Sequence, residues 1–175
     1  NLAVRYGLTR EEIDRHALSS HQKALAAIES GKLGEEIVPV TVRERKETIV
    51  VDRDQQPRQT SMEQLARLQP RFKEDGVVTA GNASGLNDGA AAVVVTSAEY
   101  AQKRGLKPIA RLVSWAVAGV DPKIMGIGPC PAIRQALDKA NLRLHDLDLI
   151  EINEAFSAQY LACQKELGFD PEIAN

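Results

Sequence analysis

Between Thr79 and Gly89 the chain is built almost entirely of small residues, Thr-Ala-Gly-Asn-Ala-Ser-Gly-Leu-Asn-Asp-Gly, and from there it runs straight into Ala90-Ala-Ala-Val-Val-Val95. Glycine inside a helix or strand costs roughly 0.5–1 kcal/mol relative to alanine, so Gly81, Gly85 and Gly89 mark a passage of turns rather than a regular element. The apolar run that follows reads as a strand buried on both faces. This change of character places a domain boundary here, with residues 1–78 as one unit and 79–175 as the other.

Beyond the boundary, strands and helices alternate. Thr96-Ser-Ala-Glu99 caps a helix that closes at Gly105, Ile109 to Val117 is a second buried-type strand, and Pro131 to Ala140 fits a helix. Leu147 to Ile152 is a third strand, and Glu154 to Leu167 a third helix stopped at Gly168. Such alternation predicts a layered α/β fold. Before the boundary, Thr9-Arg-Glu-Glu12 has the form of a capping box and opens a long helix that ends at Ser30-Gly31. Ile37 to Val42 and Thr48 to Val51 read as two short strands around an exposed turn at Arg43 to Glu47, with Pro39 favouring an edge position. Ser61 to Leu68 is a short helix ended before Pro70.

Composition narrows the function. With 43% hydrophobic residues among 175, the chain has the apolar content of a globular protein, and a formal charge of -2 provides no field to draw nucleic acid or an anionic membrane. Nucleic acid is therefore discounted as a partner. No apolar run reaches bilayer length, and Asn1 to Gly7 lack a signal-peptide pattern, so no membrane is expected either. The two cysteines, Cys130 and Cys163, form no CxxC pair, which points to a reduced, cytoplasmic compartment. The chain starts without Met and reads as beginning inside a helix, so the true N-terminus is expected upstream and a mitochondrial location stays open.

Few residues carry chemistry on their own. The Gly81–Gly89 passage can hold a phosphate on backbone amides or solve a steric problem at a junction; it lacks the Lys of a P-loop. A Cys130–His145 pair is rejected as a nucleophilic couple, because a free cysteine with no base adjacent in sequence is usually buried and inert. Cys163 reads as a small apolar helix residue. His16 and His21 project about 140° apart on a helix, which excludes an i,i+4 metal pair, and no metal site is expected. Asn153, at a strand-to-helix turn, is either a ligand-facing residue or a helix cap. The residues alone thus lead to an α/β protein with a candidate ligand site where the Gly-rich turn meets the Asn153 turn.

Three stretches, in order and spacing, resemble thiolases: Gly81-Asn-Ala-Ser-Gly-Leu-Asn-Asp-Gly-Ala90, Met125-Gly-Ile-Gly-Pro129 and Asn153-Glu-Ala-Phe156. The flanking Asp146-Leu-Asp-Leu-Ile-Glu151, Arg10-Glu-Glu-Ile-Asp14, Trp115 and Asp121-Pro122 agree, so the resemblance covers essentially the whole chain. It implies a thiolase-like layered fold, with part of the inserted, CoA-binding loop domain in 1–78 and the first part of the C-terminal core half in 79–175. It also implies an acyltransferase of fatty acid metabolism, an acetyl-CoA acetyltransferase or 3-ketoacyl-CoA thiolase. Such enzymes catalyse reversible Claisen condensation and thiolysis through a Cys acyl-enzyme. Acyl-CoA and CoA are then substrates, no resident cofactor is expected, and the parent is a homodimer or homotetramer.

Residue by residue, Asn153 matches the asparagine that holds an oxyanion-hole water. Ser84 matches a pantetheine contact and Arg58, across a one-residue gap, an arginine near the nucleotide end of CoA. Leu65, Leu68, Phe72 and Ala80 match the channel lining, Ala155 and Phe156 its closure, and Met125 the acyl pocket. The family's nucleophilic Cys, its Gly-His-Pro histidine and its acid/base Cys have no counterpart in these residues, so the 175 residues alone are expected to be inactive. Two alternatives stand beside this reading. One is another condensing enzyme of the superfamily such as a ketosynthase, against which Asn153 argues because ketosynthases usually place His there. The other is a non-catalytic CoA- or lipid-binding module.

Overall fold

A computed structural model describes residues 1–43 and 47–175. The chain opens with α1 (Leu2–Tyr6), which ends at Gly7 in the left-handed conformation (φ 58°). Thr9 then caps α2 (Arg10–Glu29) as its sequence requires. The Thr9 hydroxyl accepts from the Glu12 amide at 3.2 Å, and the Thr9 amide donates to the Glu12 carboxylate at 2.7 Å. Two of the orphan donors at the helix start are satisfied in this way. Thr9→Ala is expected to lower stability by about 1 kcal/mol, read as a shift in a urea unfolding midpoint.

After α2 come β1 (Val40–Arg43) and β2 (Thr48–Val51), an antiparallel pair in the register Val40↔Val51 to Arg43↔Thr48. Pro39 directly precedes β1, where its missing N–H breaks no ladder bond. Of the exposed turn expected between the strands, Glu44, Arg45 and Lys46 lie outside the described residues. Helix α3 (Met62–Ala66) is capped by the Ser61 hydroxyl, and α4 (Ala98–Lys103) by the Ser97 hydroxyl. Two longer helices complete the set: α5 (Pro129–Ala140), closed by left-handed Asn141, and α6 (Ser157–Leu167), closed by left-handed Gly168.

Helix α6 is the centre of the packing. Ala158, Tyr160, Ala162 and Cys163 on it are buried against Ala3 of α1, Ile13 of α2 and Cys130 of α5, and Phe169 and Ala174 close the cluster. Its start differs from the sequence reading, which opened the helix at Glu154. The Ser157 amide instead donates to the Asn82 carbonyl at 3.0 Å, so residues 153–156 are drawn onto the Gly-rich passage and the helix begins three residues later.

The expected buried strands require correction. Residues 90–95 and 109–117 form no ladder among the described residues and lie open to solvent, with Val94 95% and Trp115 65% exposed. A strand needs a neighbour to satisfy its N–H and C=O groups, and the described residues contain none beside these two. The second stretch does rest on α5: the Ser114 hydroxyl donates to the Ala136 carbonyl at 2.7 Å, and Lys139 donates to the Trp115 carbonyl at 2.9 Å. The third expected strand is reduced to a single parallel bridge, Ile150↔Ala174, flanked by Ile152 N–H donating to the Asn175 carbonyl at 2.9 Å.

Candidate functional site

The Gly-rich passage is fixed from below by a buried polar network. Asp14 and Asn82 are only 1% and 3% exposed. The Asn82 side-chain amide donates to Asp14 Oδ1 at 2.8 Å and to the Val77 carbonyl at 2.9 Å, while its oxygen accepts from the Thr79 amide at 2.9 Å. On its other side Asp14 accepts from Arg10 Nε at 2.8 Å, and Arg10 Nη2 reaches the Leu65 and Leu68 carbonyls at 2.7 and 3.0 Å. The network therefore ties α2, the end of α3 and the turn at 79–82 into one unit, with every buried lone pair it uses accounted for.

Above it, Gly81 is required by contact. A Cβ there would come within 2.5 Å of Leu65 Cδ2 and 2.7 Å of Leu68 Cδ1. Leu65 and Leu68 thus seat the turn from behind. The turn in turn pairs with the Asn153 turn: Ala83 bridges Phe156, and the Ser84 amide and hydroxyl both donate to the Ala155 carbonyl, at 3.1 and 3.2 Å.

In front of this unit lies a cleft of about 700 Å³, inside the range typical of small-molecule sites. Arg58, Phe72, Ala80 and Ser84 all line it. Ala155 and Phe156 stand beside Ser84 through the pairing just described, and Asn153 is exposed two residues before Ala155. Met125 lies apart from the cleft, 76% exposed in the turn Pro122–Ile127 on the α5–α6 side.

The cleft also contains Arg71, for which the sequence offers no signal, together with His21, considered above only as a metal ligand, and Glu154, considered only as a helix start. His21 Nδ1 accepts from the Arg58 amide at 3.4 Å, and burial, followed by the Arg58 charge, pulls its pKa down. The available signal was helical spacing, since Ala17, His21 and Ala24 fall on one face of α2 and all three line the cleft. Burial alone would push the Glu154 carboxyl up. Hydrogen bonds from His16 and Ser20 and the His16 and Lys23 charges outweigh burial, and the group sits below its usual range.

Both cysteines are buried, which keeps a nucleophile's reaction partner away from them; the hydrogen bond from Cys130 toward Cys163, together with desolvation, drives the Cys130 thiol far up, the same hydrogen bond pulls the Cys163 thiol down, and His145 is exposed beside Asp146. Alkylation by iodoacetamide is expected at Cys130 and Cys163 only after unfolding. Labelling of either in the native protein, mapped by peptide mass, would contradict this burial. Among the described residues no group of three or more His, Cys, Asp or Glu is placed to hold a metal ion, and no helix is long and apolar enough to cross a membrane.

The paired turns at Gly81–Ser84 and Asn153–Phe156, and the cleft in front of them with Arg58 and Arg71 on its wall, belong to a class that comparison with known proteins identifies. The thiolase N-terminal domain model matches residues 1–99 and the thiolase C-terminal domain model residues 106–175. The chain belongs to the thiolase family. It is 58% identical over 177 residues to an acetyl-CoA acetyltransferase of Pseudomonas aeruginosa, a match that covers 100% of this chain and 45% of that protein. Its structure superposes on the Bacillus anthracis acetyl-CoA acetyltransferase crystal structure with a TM-score of 0.97 at 57% identity, covering 100% of this chain and 45% of the other. Human mitochondrial 3-ketoacyl-CoA thiolase in complex with CoA is similar at a TM-score of 0.90 and 49% identity, over 99% of this chain and 43% of that one. The chain thus spans less than half the length of the relatives it matches.

Proposed function

We propose that the protein carrying this chain is an acyltransferase that makes and cleaves 3-ketoacyl-CoA thioesters, and that this chain contributes the CoA cleft and Asn153. The observation that carries the reading is the cleft lined by Arg58, Phe72, Ala80 and Ser84, in a chain similar to a thiolase solved with CoA. The lining chemistry suits that ligand. Arg58 and Arg71 supply cations for phosphates, Phe72 and Ala80 an apolar wall, and the Ser84 hydroxyl a partner for a pantetheine amide.

Residues 1–78 act as part of the CoA-binding loop domain and 79–175 as the first part of a C-terminal core half. Asn153 holds a donor where charge develops on the thioester oxygen, in the manner of an oxyanion hole. Met125 contributes to the acyl pocket. Because Cys130 and Cys163 are buried, the thiolate that takes the acyl group belongs to another part of a thiolase-length protein. The protein is a homodimer or homotetramer, uses no resident cofactor, and works in the cytoplasm.

The test is thiolysis of acetoacetyl-CoA, followed by loss of its enolate absorbance on addition of CoA. The complete protein is expected to turn over and the 175 residues alone are not. CoA binding without turnover by the complete protein would replace this reading with a non-catalytic CoA-binding module.

A further inference from the structure

The Asn153–Phe156 turn is held from two directions. Its backbone is held by the Gly-rich passage, through the Ser84, Ala83 and Asn82 pairings described above. Its one charged side chain, Glu154, is held from α2, where His16 Nε2 lies 2.9 Å from Glu154 Oε1. An ionised carboxylate only accepts, so Nε2–H is the donor. The imidazole is itself fixed: it stacks on Tyr160 of α6, with centroids 4.3 Å apart and planes at 19°, and Tyr160 meets Phe169 edge-on at 5.9 Å.

Glu154 also forms part of the wall between two hollows. It lines the large cleft on one side and, with His16, Lys23 and Tyr160, a smaller recess of about 210 Å³ on the other. Without His16 the carboxylate keeps its hydrogen bond from Ser20 but loses the one donor whose ring is stacked on α6, on a side chain that borders the large cleft.

We infer that His16 is a positioning residue, acting through Glu154 to fix the turn that presents Asn153. The inference rests on the acyl-transfer reading for its catalytic consequence, but its structural half stands on the contacts alone. His16→Leu removes the donor and keeps bulk against Tyr160; His16→Gln restores a neutral donor.

In the complete protein, His16→Leu is expected to lower kcat for acetoacetyl-CoA thiolysis about tenfold with KM changed less than about twofold, and His16→Gln to recover most of the loss, as a misplaced catalytic group predicts. Equal kcat in wild type and His16→Leu overturns the inference, as does a loss that His16→Gln fails to rescue. Hydrogen exchange at the Ala155 and Ser157 amides, which donate to Asn153 and Asn82, provides the second readout. Exchange at these two is expected to quicken in His16→Leu and return in His16→Gln, while the buried amides of α5 stay unchanged. If His16→Leu fails to fold, Glu154→Met, which keeps similar bulk and removes the acceptor, is expected to give the same exchange pattern. An unchanged pattern overturns the inference. Absence of thiolysis in the wild type would remove the acyl-transfer reading, and the exchange data would then decide the positioning role by itself.

Discussion

Asn82→Ala is expected to cost about 3 kcal/mol, the upper end for leaving buried hydrogen-bonding groups unsatisfied, since Asp14 keeps its ion pair with Arg10. The mutation removes the donor to Asp14, leaves the Thr79 amide without its acceptor and frees the Val77 carbonyl. Nothing else replaces them, because Asp14 and Thr79 are both closed to solvent. Against a total stability of roughly 5–15 kcal/mol this is a large fraction, and it should appear as a lower urea midpoint. Asn82→Asp is expected to do at least as badly, since it sets a second carboxylate against Asp14 Oδ1. A shift below about 1 kcal/mol, the ordinary worth of a single hydrogen bond, would mean the network is not what holds the turn.

Asn153→Ala has the opposite profile. Asn153 is exposed, and substitutions at such positions usually stay within about 0.5 kcal/mol of wild type. Its proposed work is done only as charge builds on the thioester oxygen. Removing an oxyanion donor costs on the order of 10²–10³ in kcat, and a loss near the lower end is expected in acetoacetyl-CoA thiolysis by the complete protein. Wild-type kcat in Asn153→Ala would remove the residue from the catalytic set. Together the two variants separate a residue that builds the platform from one that uses it.

Much of the local structure was legible because its causes are local. Thr9 and Glu12 spell a capping box, and the chain forms one. Gly7, Gly31, Gly105 and Gly168 adopt left-handed conformations at or just after helix ends, as sequence punctuation indicates for the last three. The meeting of the Gly-rich turn with the Asn153 turn was also anticipated, and Ala83↔Phe156 realises it. The caps and stops needed only spacing and residue type; the meeting of the two turns rested on the placement of ligand sites at strand ends in α/β folds.

What the sequence concealed depends on distant partners. The start of α6 is displaced because Ser157 bonds to Asn82, a residue far away in sequence. The apolar stretches 90–95 and 109–117 were read as buried strands, yet they are exposed. β-branched composition specifies that a segment be covered, without specifying what covers it. His21 was weighed only as a metal ligand and rejected as one. Helical spacing groups it with Ala17 and Ala24 on one face, but that this face meets residues 54–58 follows from tertiary packing. Leu65 and Leu68, matched to the channel lining by resemblance, lie against Gly81 and are not among the residues lining the cleft; their contact sets the height of the turn.

The claim on which the rest depends is that CoA occupies the cleft in front of Gly81–Gly85. The most direct measurement is a crystal structure of the complete protein with CoA. The account predicts the pantetheine chain in the cleft beside Ser84 and phosphate density within reach of Arg58 or Arg71. CoA bound elsewhere on the protein, with this cleft left empty, would contradict it.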